Sequence, residues 1–288
     1  MALRVVTDST TYLPAADLER LHIDVVPLFV NDGDSASAET GLDFVAFYHR
    51  LEDTRVLPTS SQPSLEALVS AFRRGVEAGD EVLGVFLSGR MSGTFESAQL
   101  AATMVCAEIP DARIEVLDSD SNCMQEGYAV LSAAEAGAAG SAIEECIAAA
   151  RATMARSRFV FTPRTLEYLR RGGRIGNASA LLGTLLQILP VLTVDGGLTT
   201  TDAKVRTHAK ALERMRDDFA RDVVEKGLRR VVVHSIAEAS DAQVFARDAI
   251  EPIAGCRVDV IPIGPVIGMH VGPAVGLVYE TEDPLRVL

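Results

Sequence analysis

Two hydrophobic periods alternate along the first half of the chain. Short β-branched or apolar runs read as buried strands. Between them, apolar positions recur every three to four residues and read as helices. Leu3–Thr7 is the first strand-like run and leads into Thr7-Asp8-Ser9-Thr10. A helix pattern follows Pro14, Ile23–Val30 reads as a strand, and the acidic stretch Asn31–Asp43 reads as a loop. Phe44–Leu51 is helical in pattern, with Asp43 as its N-cap. Pro58–Ser64 is a hydroxyl-rich loop, and Ser64 caps a helix over Leu65–Ala78. Glu81–Leu87 predicts a strand ending in Ser88-Gly89-Arg90-Met91-Ser92-Gly93, and a helix begins near Thr94. Ile114–Leu117 predicts another strand, ending in Asp118-Ser119-Asp120-Ser121. Alanine-rich helices around Met124–Ala138 and Ala142–Met154 precede a strand at Phe159–Phe161. Such alternation predicts a mostly parallel sheet with helices on both faces.

The second half has a different rhythm. Pro163–Arg171 predicts a short helix stopping at Gly172-Gly173, and Ala178–Leu189 an almost wholly apolar helix. Val191–Val194 and Leu198–Thr201 flank Asp195-Gly196-Gly197, a hairpin signal. A long amphipathic helix is expected over Thr207–Lys226. It is followed by strand Arg230–Ser235, helix Asp241–Ile250, strand Val258–Ile263, a Gly-Pro loop and strand Val275–Glu280. The expected fold class is therefore α/β with two domains. Residues 1–162 form an N-terminal α/β (Rossmann-like) domain, and residues 163–288 form a C-terminal α+β domain. Val260–Tyr279 is long enough to span a bilayer and carries no formal charge. Pro262, Pro265 and Pro273 argue against a spanning helix, so no integral membrane segment is expected.

Composition narrows the function classes. Hydrophobic residues make up 48% of the 288 residues and charged residues 23%, the balance of a folded globular chain. A formal net charge of −13 disfavours general nucleic-acid binding, which needs phosphate neutralisation. The four cysteines form no C-x-x-C pair, so no metal site or dithiol centre is expected, and their number suits a reducing cytoplasm. The N-terminus lacks a signal-peptide pattern. There is no G-x-G-x-x-G and no P-loop motif, and no cofactor is expected. Gly89-Arg90-Met91-Ser92-Gly93 has the wrong spacing for a nucleophile elbow.

What remains is a set of hydroxyl-rich loops after strands: Thr7–Thr11, Thr59–Ser61, Ser88–Thr94 and Asp118–Ser121. Ligands of open parallel sheets bind beyond the carboxyl ends of the strands. The helix after each loop turns free amides and the positive end of its dipole toward that site, which favours an anion. Each loop taken singly is also explained by N-capping, but four together point to a shared site for a carboxylate or phosphate held by neutral donors. His270 in the Gly-Pro loop reads either as a buried structural histidine or as a donor or general acid/base at that site. Ala178–Leu189 reads either as core or as the wall of a pocket for an apolar ligand. Arg151–Arg174 holds seven arginines against one acid, Glu167, and reads as a solvated face or as a docking surface for an acidic partner.

The chain resembles the DegV family of bacterial fatty-acid-binding proteins over essentially its whole length. The residues that carry the likeness are Thr7-Asp8-Ser9-Thr10, Ser60-Ser61-Gln62-Pro63-Ser64, Met91-Ser92-Gly93-Thr94-Phe95-Glu96-Ser97-Ala98 and Leu117-Asp118-Ser119. They continue with the run Leu166–Ile175, then Lys204-Val205-Arg206-Thr207, and the run Ile263–Pro273. The resemblance implies two domains with a long-chain fatty acid in a tunnel between them. It also implies presentation of the acyl carboxylate to a separate ATP-dependent fatty acid kinase, whose acyl-phosphate product serves phospholipid synthesis. The family's carboxylate contacts match Ser60, Ser92, Gly93 and His270, with Thr59, Ser61 and Ser119 in support. Ser60 stands where the family commonly has Thr, and Met269 and Val271 flank His270 where Thr is frequent. Arg170, Arg171, Arg174 and Arg206 lie in matched motifs and suit kinase docking.

The expected function is thus a cytoplasmic lipid carrier with no catalytic residue of its own. Its ligand is a fatty acid and its protein partner a kinase. The rival reading is an acyl or phosphoryl transferase or hydrolase using Ser92 and His270, which needs a base within reach of the hydroxyl. A third is an interaction protein whose arginine face binds a partner without any ligand.

Overall fold

The computed structural model describes residues 2–53, 57–181, 188–237 and 239–285. In chain order it contains β1 (Leu3–Asp8), α1 (Ala15–Arg20), β2 (Asp24–Val26), β3 (Phe29–Asp32), β4 (Ser35–Ala38), α2 (Phe44–Asp53), β5 (Thr59–Ser61) and α3 (Leu65–Glu77). Next come β6 (Glu81–Phe86), α4 (Thr94–Glu108), β7 (Ile114–Asp118), α5 (Cys123–Ala138), α6 (Ile143–Arg156), β8 (Ser157–Pro163) and α7 (Glu167–Arg171). The remainder is β9 (Leu189–Asp195), β10 (Leu198–Val205), α8 (His208–Lys226), β11 (Arg230–Ile236), α9 (Ala239–Phe245), α10 (Glu251–Ala254), β12 (Asp259–Pro262), α11 (Pro265–Val271) and β13 (Ala274–Glu280).

Two compact units account for the chain. One holds the chain up to Gly41 together with Ser60–Met154, and the other holds Leu42–Thr59 and the chain from Ala155 to Val287. The divide therefore falls before the 162/163 boundary read from sequence, and α2 joins the second unit. Strand pairing explains the first difference: β8 pairs with β13 along its whole length, from Ser157↔Glu280 to Pro163↔Ala274.

The first unit is built on a four-stranded sheet in the order β2-β1-β6-β7. All three pairings are parallel, as the alternating pattern predicts. Val6, Val82 and Phe86 turn to one face and meet Leu68, Ala71, Phe72, Ala98 and Val105 of α3 and α4. α5 packs on the opposite side of β1, where Gly137 lies against Leu3. Helices thus cover both faces.

Some expectations of this half are corrected. Ile23–Val30 is not one strand. Pro27, which cannot donate to a ladder, separates β2 from β3. Asn31–Asp43 is not simply a loop, because β3 and β4 form a hairpin paired from Phe29↔Ala38 to Asp32↔Ser35. Its tip holds Gly33 at φ +61. β5, read as loop, is a third strand beside β3. Asp43 and Ser64 do cap α2 and α3, accepting from the amides of Ala46 (3.0 Å) and Ala67 (3.1 Å).

The second unit has a six-stranded sheet in the order β10-β9-β8-β13-β11-β12. Its pairings are antiparallel except β11 with β12. This is the mixed sheet of the expected α+β half. Gly196 and Gly197 both take positive φ (52° and 74°) and close the predicted hairpin of β9 and β10. α8 begins at Thr207, whose hydroxyl accepts from the Lys210 amide. Its Ala211, Met215 and Phe219 pack with Val233, Val275, Leu277 and Tyr279 of the sheet.

The apolar stretch read as a helix over 178–189 is a 3₁₀ segment at Gly176–Leu181 followed by β9 from Leu189. The part of that reading over 182–187 lies outside the described residues. The Gly-Pro loop carrying His270 is in fact the short helix α11. Pro265 occupies its first turn, where a missing N–H costs nothing, and Gly272 ends it at φ +72. Among the described residues no helix is long and apolar enough to cross a membrane, and no group of three or more His, Cys, Asp or Glu could hold a metal ion.

Candidate functional site

The carboxyl ends of β1, β6 and β7 lie side by side in the first unit and carry the hydroxyl-rich loops. The turn after β6 is held from both sides. The Asp8 carboxylate, last residue of β1, accepts from the Leu87 amide (3.0 Å). Asp118, last residue of β7, accepts from the Gly89 amide (3.1 Å). Between them, the Ser88 amide donates to the Ser121 carbonyl (2.7 Å). The Ser88 carbonyl then accepts from Met91 and Ser92 (3.0 and 3.1 Å), which closes the turn. Ser92 is partly buried. Its Oγ shares a hydrogen bond with Thr94 Oγ1 (2.9 Å) and accepts from the Thr94 amide (3.3 Å). Gly93 caps the fifteen-residue helix α4 without a side chain.

The Ser60 motif is brought to the same place. Gln62 donates from Nε2 to Ser97 Oγ on the first turn of α4 (2.5 Å). Its Oε1 lies so near Gly93 that a Cβ there would stand only 2.3 Å away. Ser60 is partly buried on β5, while its neighbours Thr59 and Ser61 are exposed. Ser61 Oγ lies 3.5 Å from Asn31 Oδ1. Ser119 is buried, and its hydroxyl donates to the Ser121 carbonyl and accepts from the Ser121 amide, both at 3.2 Å. Ser92 and Gly93 thus stand at one helix N-terminus, which Gln62 of the Ser60 motif reaches, and Ser119 is spent on its own loop.

A buried carboxyl pair lies beneath this turn. Asp8 accepts from the Thr10 amide (2.8 Å) and hydroxyl (2.7 Å) as well as from Leu87. Glu126 on α5 is fully buried and faces the hydroxyls of Thr10 (3.2 Å) and Thr7 (3.4 Å). Burial, and then the charge of Asp8, holds Glu126 well above the usual carboxylate range. Burial also raises Asp8, against the pull of the Leu87 and Thr10 donors. Both shifts run toward protonation, and the larger one at Glu126 favours that carboxyl as the holder of a proton between the two.

His270 belongs to the second unit, on the last turn of α11. It packs against the end of α7, where a Cβ at Gly172 would lie 2.3 Å from its Nδ1. Burial, with the Arg174 charge second, lowers its pKa to about 4, so the imidazole is neutral at pH 7. α11 is anchored by Tyr48 of α2, whose hydroxyl is shared between the carbonyls of Ile263 (2.7 Å) and Gly264 (2.9 Å). Tyr48 packs where a side chain at Gly268 would otherwise be. His234, by contrast, is buried in β11 with Nδ1 3.1 Å from the Ile261 carbonyl, a structural setting.

The arginine-rich stretch is not uniform. Arg158 is drawn into the second unit by Asp202 and Asp222, and Arg164 pairs with Asp241. Arg170, Arg171, Arg174 and Arg206 are exposed. Arg170 pairs with Glu167 (2.6 Å), and Arg174 donates to the Gly172 carbonyl (2.8 Å), beside His270. Sequence reasoning missed Gln62, Glu126 and Tyr48 as parts of these arrangements. Gln62 carries no signal beyond its motif, and Tyr48 none beyond its place in a helix pattern. An acid set among Cys123, Met124, Gly127 and Ala129 at the start of α5 was a signal for Glu126.

Comparison with known proteins gives a consistent result. The model of the DegV family of uncharacterised proteins matches residues 2–282. A DegV domain-containing protein of Clostridium acetobutylicum is 41% identical over 292 residues, covering 99% of this chain and 100% of that protein. Among solved structures, a fatty-acid-binding DegV family protein from Thermus thermophilus is 31% identical with a TM-score of 0.83, covering 98% of this chain and 100% of that one. DegV of Bacillus subtilis, described as a fatty acid binding protein, is likewise 31% identical, with a TM-score of 0.87 over 98% of this chain and 99% of that one.

Proposed function

Because this chain belongs to the DegV family, we propose that it binds a long-chain fatty acid and presents the carboxylate to a separate ATP-dependent kinase in the cytoplasm. The observation that carries this reading is the Ser88–Gly93 turn at the start of α4. It offers the Ser92 hydroxyl and the helix N-terminus in one place, beside the loop of Ser60. Gly93 contributes its backbone amide, and His270 its neutral imidazole. All of these are uncharged donors. They bind a carboxylate without neutralising it, so its oxygen stays nucleophilic toward the γ-phosphorus of ATP. In the kinase step that oxygen forms the new P–O bond, the bond to the β-phosphate oxygen breaks, and acyl phosphate and ADP result. The product is an activated acyl group for phospholipid synthesis.

Affinity comes chiefly from the chain. Each buried CH₂ contributes about 0.8 kcal/mol, so a long acyl chain supplies ~10 kcal/mol before ordering costs. The polar donors then set orientation and select the carboxylate. The exposed Arg170, Arg171, Arg174 and Arg206 form the docking side for the kinase, with Arg174 next to His270. The test is the double variant Ser92→Ala with His270→Ala. It weakens fatty-acid binding and abolishes kinase-dependent acyl phosphate formation. Phosphorylation at the wild-type rate contradicts the assignment.

A further inference from the structure

Glu126, Asp8 and Asp118 are buried or half-buried acids that the donor set above does not use. Two of them share a placement. Asp8 and Asp118 are the last residues of β1 and β7, the two strands that flank β6. Each reaches across to an amide just past the end of β6, Asp8 to Leu87 (3.0 Å) and Asp118 to Gly89 (3.1 Å). Each also ties down its own following turn with its other oxygen. Asp8 takes the Thr10 amide, and Asp118 takes the Asp120 amide (2.8 Å). Asp120 has φ +52, a left-handed conformation that a non-glycine residue keeps only when held. The Ser88 amide in between is bound by the Ser121 carbonyl. Three consecutive amides, 87 to 89, are therefore fixed by groups from the neighbouring strands. The Ser88 carbonyl that they orient is the acceptor for the Ser92 amide.

We propose that Asp8 and Asp118 are positioning residues, a two-sided clamp that fixes the Ser88 peptide and through it aims Ser92 and Gly93 at the ligand carboxylate. This rests on the fatty-acid reading and deepens it by naming what orders its polar end. Glu126 completes the clamp on the Asp8 side. Burial and the charge of Asp8 favour its protonated form, which eases the standing of two buried carboxyls together, and Asp8 remains the acceptor for Leu87. The clamp acts on the carboxylate end alone, so its loss separates acid from alcohol. An acyl chain bound without a carboxylate gains nothing from Ser92 and loses nothing when the turn loosens.

The experiment titrates the delipidated full-length protein with tetradecanoic acid and with 1-tetradecanol, both delivered from cyclodextrin. Wild type binds the acid at least ~10-fold more tightly than the alcohol, the order expected of hydrogen bonds to a charged group. Asp118→Ala loses that preference, with acid affinity down ~10-fold and alcohol affinity unchanged. If Asp118→Ala does not fold, Asp8→Asn is measured in the same way. It retains the volume but sets an amide N–H against one of the amides Asp8 now binds, and the same loss of preference is expected. Unchanged acid affinity in the folded variant overturns the clamp, as does an equal fall for acid and alcohol. A wild-type protein that binds neither ligand, or both alike, overturns the fatty-acid reading instead.

Discussion

A methyl group at position 268 probes how α11, and with it His270, is held. The Cβ of Gly268→Ala would stand 1.9 Å from the Tyr48 hydroxyl oxygen and 2.6 Å from Cε1 and Cζ of the same ring. Non-bonded heavy atoms rest near ~3.5 Å, so the ring or the helix must retreat by roughly 1.5 Å. The ring cannot retreat alone. Its hydroxyl is bound to the carbonyls of Ile263 and Gly264 at 2.7 and 2.9 Å, and the residue is buried. Overpacking of this kind costs about 1–3 kcal/mol, and a broken buried hydrogen bond adds about 1 kcal/mol. Gly268→Ala should therefore lower stability by about 3 kcal/mol. The assay is urea denaturation of Gly268→Ala, Tyr48→Phe and the double variant. Tyr48→Phe removes the atom at 1.9 Å but not those at 2.6 Å, so it should relieve the alanine by about 1 kcal/mol rather than fully. Gly268→Ala within 0.5 kcal/mol of wild type, or strict additivity with Tyr48→Phe, would refute the contact.

The other predictions concern the site and its protons. Gly93→Ala places a methyl 2.3 Å from Gln62 Oε1, and Gln62 is tied to Ser97. Calorimetry should show fatty-acid affinity lowered by ~10-fold, in line with the loss of one hydrogen bond to a charged group. Wild-type affinity would contradict the placement of Gly93 at the carboxylate. Burial holds His234 and His270 at about 4, below the ordinary value of 6.5. The unfolded chain then takes up protons first as pH falls, so stability declines from about pH 6.5 to about pH 4, by up to ~3 kcal/mol per histidine. His270→Gln should flatten that decline relative to wild type. An identical pH slope in the two proteins means that His270 is not buried as a neutral ring. Glu126 has the opposite sign. Its raised pKa makes the folded state favour the proton, so its contribution fades as pH rises above the ordinary carboxylate range. Glu126→Gln keeps a donor toward Asp8 and should match wild type near pH 5 and exceed it near pH 9. A loss as large as that of Glu126→Ala at both pH values would show that the shared proton is absent.

The alternation of strand and helix was legible because the strands of the parallel sheet are short, largely apolar runs and three helices open on a side-chain cap that the sequence shows. Asp43, Ser64 and Thr207 each accept the amide their position predicts. The hairpin at Gly196-Gly197 was legible for the same reason: only special φ values serve there. Where the reading failed, tertiary contacts decided. Residues 263–273 look like loop by composition. A seven-residue helix forms there because Pro265 suits a first turn and Gly268 admits the Tyr48 ring. In the β3–β4 hairpin, β4 is a mostly exposed run of Ser and Ala, which gives no apolar alternation to read. In sequence β8 looks like the closing strand of the first half, although its pairing partner is β13, more than a hundred residues on. Ser60, Ser92 and Gly93 stand out in sequence as motif residues. The carboxylates that hold their turn look in sequence like ordinary strand-end capping residues. Only the cross-strand bonds to Leu87 and Gly89 show what they do.

Whether the protein carries a fatty acid can be read from what it releases. The most direct measurement is to purify it under mild conditions, denature it, and identify the released small molecules by mass spectrometry. About one long-chain fatty acid per chain is expected, or uptake of one when the empty protein is offered a mixture. A protein that releases no fatty acid and takes none up contradicts the fatty-acid reading.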